Sequence, residues 1–99
     1  MKVAIYSRGG ETVQAQDLIN LTDALLNAGI SPVIYSALNY QFQSELSARQ
    51  EHSVPLQSFA NADDLDDSFD ALISLGGDGT LLDTVCLVRD KKIPVLGIN

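Results

Sequence analysis

Short apolar runs alternate along this chain with stretches in which apolar residues recur at helical spacing. Residues 2–6 form a β-branched and aromatic run that Ser7-Arg8-Gly9-Gly10 breaks, which reads as a strand followed by a loop. From Thr12 to Ala28, apolar or small residues fall at Ala15, Leu18, Ile19, Thr22, Leu25 and Leu26, and Gly29 stands where a helix-ending glycine belongs. Residues 30–35 predict a second strand, with Pro32 near its start, where a missing N–H does least harm. Strand, helix and strand in so short a length imply a right-handed crossover with the two strands parallel. Beyond it the pattern is ragged. Tyr40, Phe42 and Leu46 are spaced to pack on the sheet from a helix ending near Arg49, and Val54-Pro55-Leu56 with Phe59 predicts a short extended piece. Residues 71–75 are apolar at nearly every position, as a parallel strand covered on both faces should be. An amphipathic segment follows, and residues 93–98 make a last strand. The expected architecture is α/β, a Rossmann- or flavodoxin-like three-layer domain with a mostly parallel sheet, occupying residues 1–99 as one unit.

Composition narrows the function classes. The 99 residues carry a formal charge of −7 and a pI near 4.2, so the basic face that nucleic acid requires is missing. No apolar run approaches the ~20 residues of a membrane span, and Met1 leads straight into strand residues without a leader-like segment. The expectation is a cytoplasmic protein without a membrane partner. Cys86 is the only cysteine, and its neighbours Val85, Leu87 and Val88 predict a buried, inert thiol. His52 lies among Gln50, Glu51 and Ser53 and reads as solvated. The run from Asp63 to Asp67 lacks the alternating ligands and central glycine of a calcium loop, so it reads as an acidic turn or short exposed helix. No metal site is expected from these residues.

The chemistry gathers at Gly76-Gly77-Asp78-Gly79-Thr80, where the apolar run ends. Glycines let a phosphate approach the backbone, and free N–H groups at a helix start favour anions. Asp78 would repel such a phosphate. Its presence points to chemistry on a hydroxyl or a metal beside the phosphate. The dinucleotide fingerprint fails because Leu82 stands where its third glycine belongs, and the Gly-Lys-Ser/Thr of a Walker A loop is absent. Thr80 and Asp83 have capping-box spacing, and Arg89, Lys91 and Lys92 fall near the end of the expected helix. The loops after the first strand and after residue 75 should open on the same sheet edge. Arg8 is therefore a candidate phosphate contact, with a merely solvated arginine as the plain alternative.

The Gly-Gly-Asp-Gly-Thr signature is shared by NAD kinases, lipid kinases and, in near form, phosphofructokinases. With Leu81-Leu82-Asp83-Thr84 after it and Ile93-Pro94-Val95-Leu96-Gly97-Ile98-Asn99 about one helix later, the chain resembles NAD kinases over residues 71–99. Over residues 1–70 the likeness is one of pattern only. The resemblance implies transfer of a phosphoryl group from ATP, or polyphosphate in some members, to the adenosine ribose 2′-hydroxyl of NAD. It implies Asp78 as the proton acceptor, Gly76, Gly77, Asp78, Gly79, Thr80 and Asn99 as nucleotide-binding positions, and Mg²⁺ or another divalent cation with the nucleotide. Some NAD kinases have a basic residue at position 83 that reaches the nucleotide, a part Asp83 cannot play. The family's second acidic motif and its carboxy-terminal NAD-binding domain would lie beyond Asn99, so the chain is expected to be an inactive amino-terminal piece of a homo-oligomeric enzyme. A diacylglycerol- or sphingosine-type lipid kinase and a non-catalytic flavodoxin-like binding domain are the alternatives.

Overall fold

The computed structural model describes residues 1–9, 13–48 and 56–98. Gly10, Thr12, Arg49, His52, Val54, Pro55 and Asn99, on which expectations were placed above, lie outside the described residues. The elements in chain order are β1 (Lys2–Tyr6), α1 (Ala15–Asn27), β2 (Ser31–Tyr35), α2 (Ser36–Gln41), α3 (Gln43–Ala48), β3 (Gln57–Phe59), β4 (Ala71–Leu75), α4 (Asp78–Val88) and β5 (Val95–Ile98). One five-stranded sheet, parallel at every pairing, runs β3-β2-β1-β4-β5.

Alternation along the strands divides the core. Ile5, Ile34 and Leu75 face α1, α2 and α3, packing with Leu18, Leu38, Phe42 and Leu46. Ala4, Val33, Phe59 and Leu72 face the other way, against Leu65, Phe69, Val88 and Ile93. With α1 and α4 on opposite faces, the three-layer expectation holds. The α1 helix buries Leu18 and Thr22 on one stripe, and the Thr22 hydroxyl donates back to the Leu18 carbonyl at 2.7 Å. It closes in a Schellman arrangement: the N–H of Ile30 donates to Leu25 at 2.8 Å and that of Gly29 to Leu26 at 3.0 Å.

Several local readings are corrected. The single helix expected between residues 36 and 49 is two short ones, broken at Phe42, whose backbone is not helical. Phe42 and Leu46 are buried as expected, but Tyr40 is 75 % exposed because it projects from the outer side of α2. The extended piece near Phe59 is a fifth strand, in register with Val33 to Tyr35. The acidic run is a short 3-10 turn over Ala62–Asp64, opened by an Asn61 capping box, as its composition suggested. Cys86 is exposed, not buried. It lies on the outer side of α4, where Leu82 and Val85 are 66 % and 56 % exposed, while Thr80, Thr84 and Val88 hold the buried side. The helix buries threonines and exposes apolar residues, the reverse of what an apolar-in pattern predicts, so the sequence pointed to the wrong face.

Candidate functional site

Strand order decides where a ligand can sit. β2 and β3 lie on one side of β1, and β4 and β5 on the other, so the order reverses between β1 and β4. The loop after β1 leads to one face and the loop after β4 to the other, opening a crevice at the carboxyl edge between them. There Arg8 of the first loop lies against Gly79 just past the second, while Ser7 and Gly9 are buried beside it. That juxtaposition is the one expected from the sequence.

Each residue of the glycine loop does separate work. Gly76 turns the chain out of β4 with φ +139, a backbone that side-chain-bearing residues rarely adopt, and a Cβ there would stand 2.7 Å from the Thr80 hydroxyl. Gly77 is the N-cap of α4 with ordinary φ −86, so the positive-φ turn is confined to Gly76, one residue earlier. Asp78 is the first residue of α4 and exposed at the mouth of the crevice. Gly79 is helical, and a Cβ on it would stand 2.8 Å from a terminal nitrogen of Arg8 and 3.1 Å from the guanidinium carbon. Thr80 is buried at 3 % exposure inside the first turn. It is not an N-cap, so the Thr80–Asp83 capping box is corrected: α4 begins three residues earlier than that spacing implied, with Gly77 as its N-cap.

Asp83 has a different task. Its carboxylate takes the Arg8 Nε at 2.6 Å and a terminal Arg8 nitrogen at 3.1 Å, and accepts from the Tyr6 hydroxyl at 3.0 Å. The Arg8 hydrogen bond, chiefly, holds Asp83 below the usual carboxylate range; partial desolvation opposes this and the Tyr6 hydroxyl adds to it. The same pairing raises the already high Arg8 pKa. Burial first, and then the bond to Asp83, push the Tyr6 phenol up to about 12. Tyr6 packs on Tyr35 with ring centroids 4.9 Å apart, and Tyr35 on Phe59 at 5.5 Å. Sequence spacing gave no hint of this chain of contacts, because Asp83 lies 75 residues from Arg8 and 77 from Tyr6.

On the α1 side of the same edge lies a cleft of about 230 Å³ between Val13, Asp17 and Asn20 near the start of α1 and Gly76 and Ile98 at the strand ends. Asp17 and Asn20 were not singled out in the sequence; at a helix start they look like ordinary solvated positions. Among the described residues no group of three His, Cys, Asp or Glu side chains could hold a metal ion. No helix among them is long and apolar enough to cross a membrane.

The family model of the ATP-NAD kinase N-terminal domain matches residues 16–99. The chain belongs to the NAD kinase family. An NAD kinase of Flavobacterium psychrophilum is 35 % identical over 99 residues, covering all of this chain and 32 % of the relative. One of Flavobacterium johnsoniae is 33 % identical over 101 residues, again covering all of this chain and 32 % of the relative. One of Gemmatimonas aurantiaca is 59 % identical over 34 residues, which are 34 % of this chain and 12 % of that one. The chain thus spans about a third of the length of the curated NAD kinases that it matches end to end. No solved structure matches it significantly. Membership in the NAD kinase family separates the chain from the lipid-kinase and non-catalytic alternatives, and extends the likeness seen at residues 71–99 over most of the sequence.

Proposed function

We propose that this chain is the amino-terminal domain of an NAD kinase that transfers a phosphoryl group from ATP, or polyphosphate, to the 2′-hydroxyl of the adenosine ribose of NAD. The observation that carries the reading is Asp78, exposed at the start of α4 in the crevice where strand order reverses, within the family's glycine motif. A carboxylate is far too weak a base to strip a sugar hydroxyl early. It can orient the hydroxyl and take its proton late, when the new phosphate ester bond has largely formed and the oxygen has become acidic. Gly77, around which a Cβ would meet nothing, leaves the start of α4 open, and a helix start offers free N–H groups to an anion. Thr80 is buried beneath Gly76, in the space a Cβ there would need.

A divalent cation fits this donor set only as a passenger of the nucleotide. One exposed carboxylate with no cluster of three suits an ion such as Mg²⁺ held mainly by phosphate oxygens. When bound, such an ion neutralises charge on the transferring group. Arg8 and, at the chain's end, Asn99 complete the proposed nucleotide contacts. The acidic residues that hold NAD, the carboxy-terminal domain that carries them, the cytoplasmic setting and the homo-oligomeric state belong to the same proposal for the full-length protein.

The test is direct. Full-length protein incubated with NAD, ATP and Mg²⁺ should form NADP, read by an NADP-specific dehydrogenase. Phosphorylation of diacylglycerol or sphingosine with no NADP formed would overturn the reading.

A further inference from the structure

We propose that Asp83 and Tyr6 are positioning residues that clamp Arg8 across the glycine loop, so that the guanidinium edge Asp83 leaves uncovered meets a nucleotide phosphate seated there. The inference rests on the NAD kinase reading and deepens it. Arginine has five N–H donors in a rigid fork. Asp83 occupies one edge of the fork through Nε and one terminal nitrogen, at 2.6 and 3.1 Å. The other terminal nitrogen lies over Gly79, 2.8 Å from where a Cβ would be, at the first turn of α4. The arginine thus lies lengthwise on the helix, tied at position 83 and reaching back to position 79, one turn nearer the loop.

The tie is itself anchored. The Tyr6 hydroxyl donates to the same carboxylate oxygen that takes Arg8 Nε, and the Tyr6 ring is fixed through Tyr35 and Phe59 to the buried sheet. Two consequences of Asp83 oppose each other. Its charge weakens the pull of Arg8 on a phosphate, but its geometry holds a side chain that is 55 % exposed in one place. Geometry should prevail, because at an exposed site the charge is screened by water and salt, whereas a freed arginine must be ordered again at each binding event. On this account Gly79 is glycine because an arginine from the loop after β1 lies against it, and a basic residue at position 83 is unnecessary because Asp83 delivers one from position 8.

Calorimetry on full-length protein tests the clamp without requiring turnover. ATP, NAD and adenosine are titrated separately into wild type, Arg8→Ala, Asp83→Ala, Asp83→Glu, Tyr6→Phe and the Arg8→Ala/Asp83→Ala double variant. Losing the charge-assisted contact should weaken ATP or NAD about tenfold in Arg8→Ala and in Asp83→Ala, with adenosine unmoved. Whichever of ATP and NAD weakens identifies whose phosphate Arg8 meets. The double variant should bind no worse than Arg8→Ala alone, Asp83→Glu should recover part of the loss, and Tyr6→Phe should lose less than Asp83→Ala. A general structural role would weaken adenosine too. Unchanged or tighter binding of both ATP and NAD by Asp83→Ala, or losses that add in the double variant, would overturn the clamp. This pattern without NADP formation would keep the clamp and reject the kinase reading; NADP formation without the pattern would do the reverse.

Discussion

Among the loop residues, conformation separates glycines that look alike in sequence. Gly76 has φ +139 and no room for a Cβ, whereas Gly77 has an ordinary φ and open space around it. Gly76→Ala should therefore destabilise the domain by about 1 kcal/mol or more, and Gly77→Ala by a few tenths at most. Urea unfolding of the two variants checks this, and equal losses would contradict the assigned backbone. Gly79→Ala pushes on the guanidinium that Asp83 holds, so the disturbed pairing should offset the gain of up to ~1 kcal/mol from helix propensity and leave stability about level. Tyr6 and Asp83 make a pH prediction together. The folded pKa of Tyr6 is raised, so its stabilising contribution is complete below the ordinary tyrosine value of ~10 and is lost as pH climbs toward about 12. The folded pKa of Asp83 is lowered, so its contribution is present above ~3.9 and is lost as pH falls below that. Phenolate absorbance should show one of the three tyrosines titrating near 12, and Asp83→Ala should bring it down part of the way, since burial remains. At this scale the sequence showed Asp78 and the glycines, because their types are uncommon at the end of an apolar run. It hid the Tyr6–Asp83–Arg8 contacts, which exist only once β1 and β4 lie side by side.

At the level of elements, legibility followed burial. β1, β2 and β4 are buried through their middles and announce themselves as apolar runs. β3 is an edge strand with Gln57 and Ser58 exposed and only Phe59 buried, so its composition hardly differs from a loop. The start of α4 was misplaced because Thr80 and Asp83 imitate a capping box, while the chain uses Gly77 as N-cap and puts Asp78 in the first turn, where an acid suits the dipole. The outer face of α4 is the larger surprise. Leu82, Val85 and Cys86 are exposed together, so the Cys86 thiol of the isolated domain should react with a disulfide reagent nearly as fast as in the unfolded chain. Strong protection in the isolated domain would mean that α4 is turned the other way.

For the whole molecule, the same exposed face suggests unfinished packing. Leu96 and Ile98 on β5 are open too, and the curated relatives matched end to end are about three times as long. The 99-residue domain should fold by itself, since its sheet, both core layers and loop chemistry agree. It should not catalyse, because phosphoryl transfer depends mainly on holding two reactants in line, and the described residues supply one side of such a site. The fold class was readable from strand and helix periodicity alone; the exposed apolar residues of α4 and β5 were not, because exposed and buried leucines look the same in a sequence. The account's central claim is that Asp78 takes the ribose proton, and kcat of full-length Asp78→Asn tests it most directly. Asparagine keeps the size and hydrogen bonding of the side chain but accepts no proton, so kcat should fall by about 10² to 10⁴ with little change in KM for NAD or in unfolding midpoint. A kcat within a few-fold of wild type would contradict the claim and leave Asp78 as a residue that only shapes the loop.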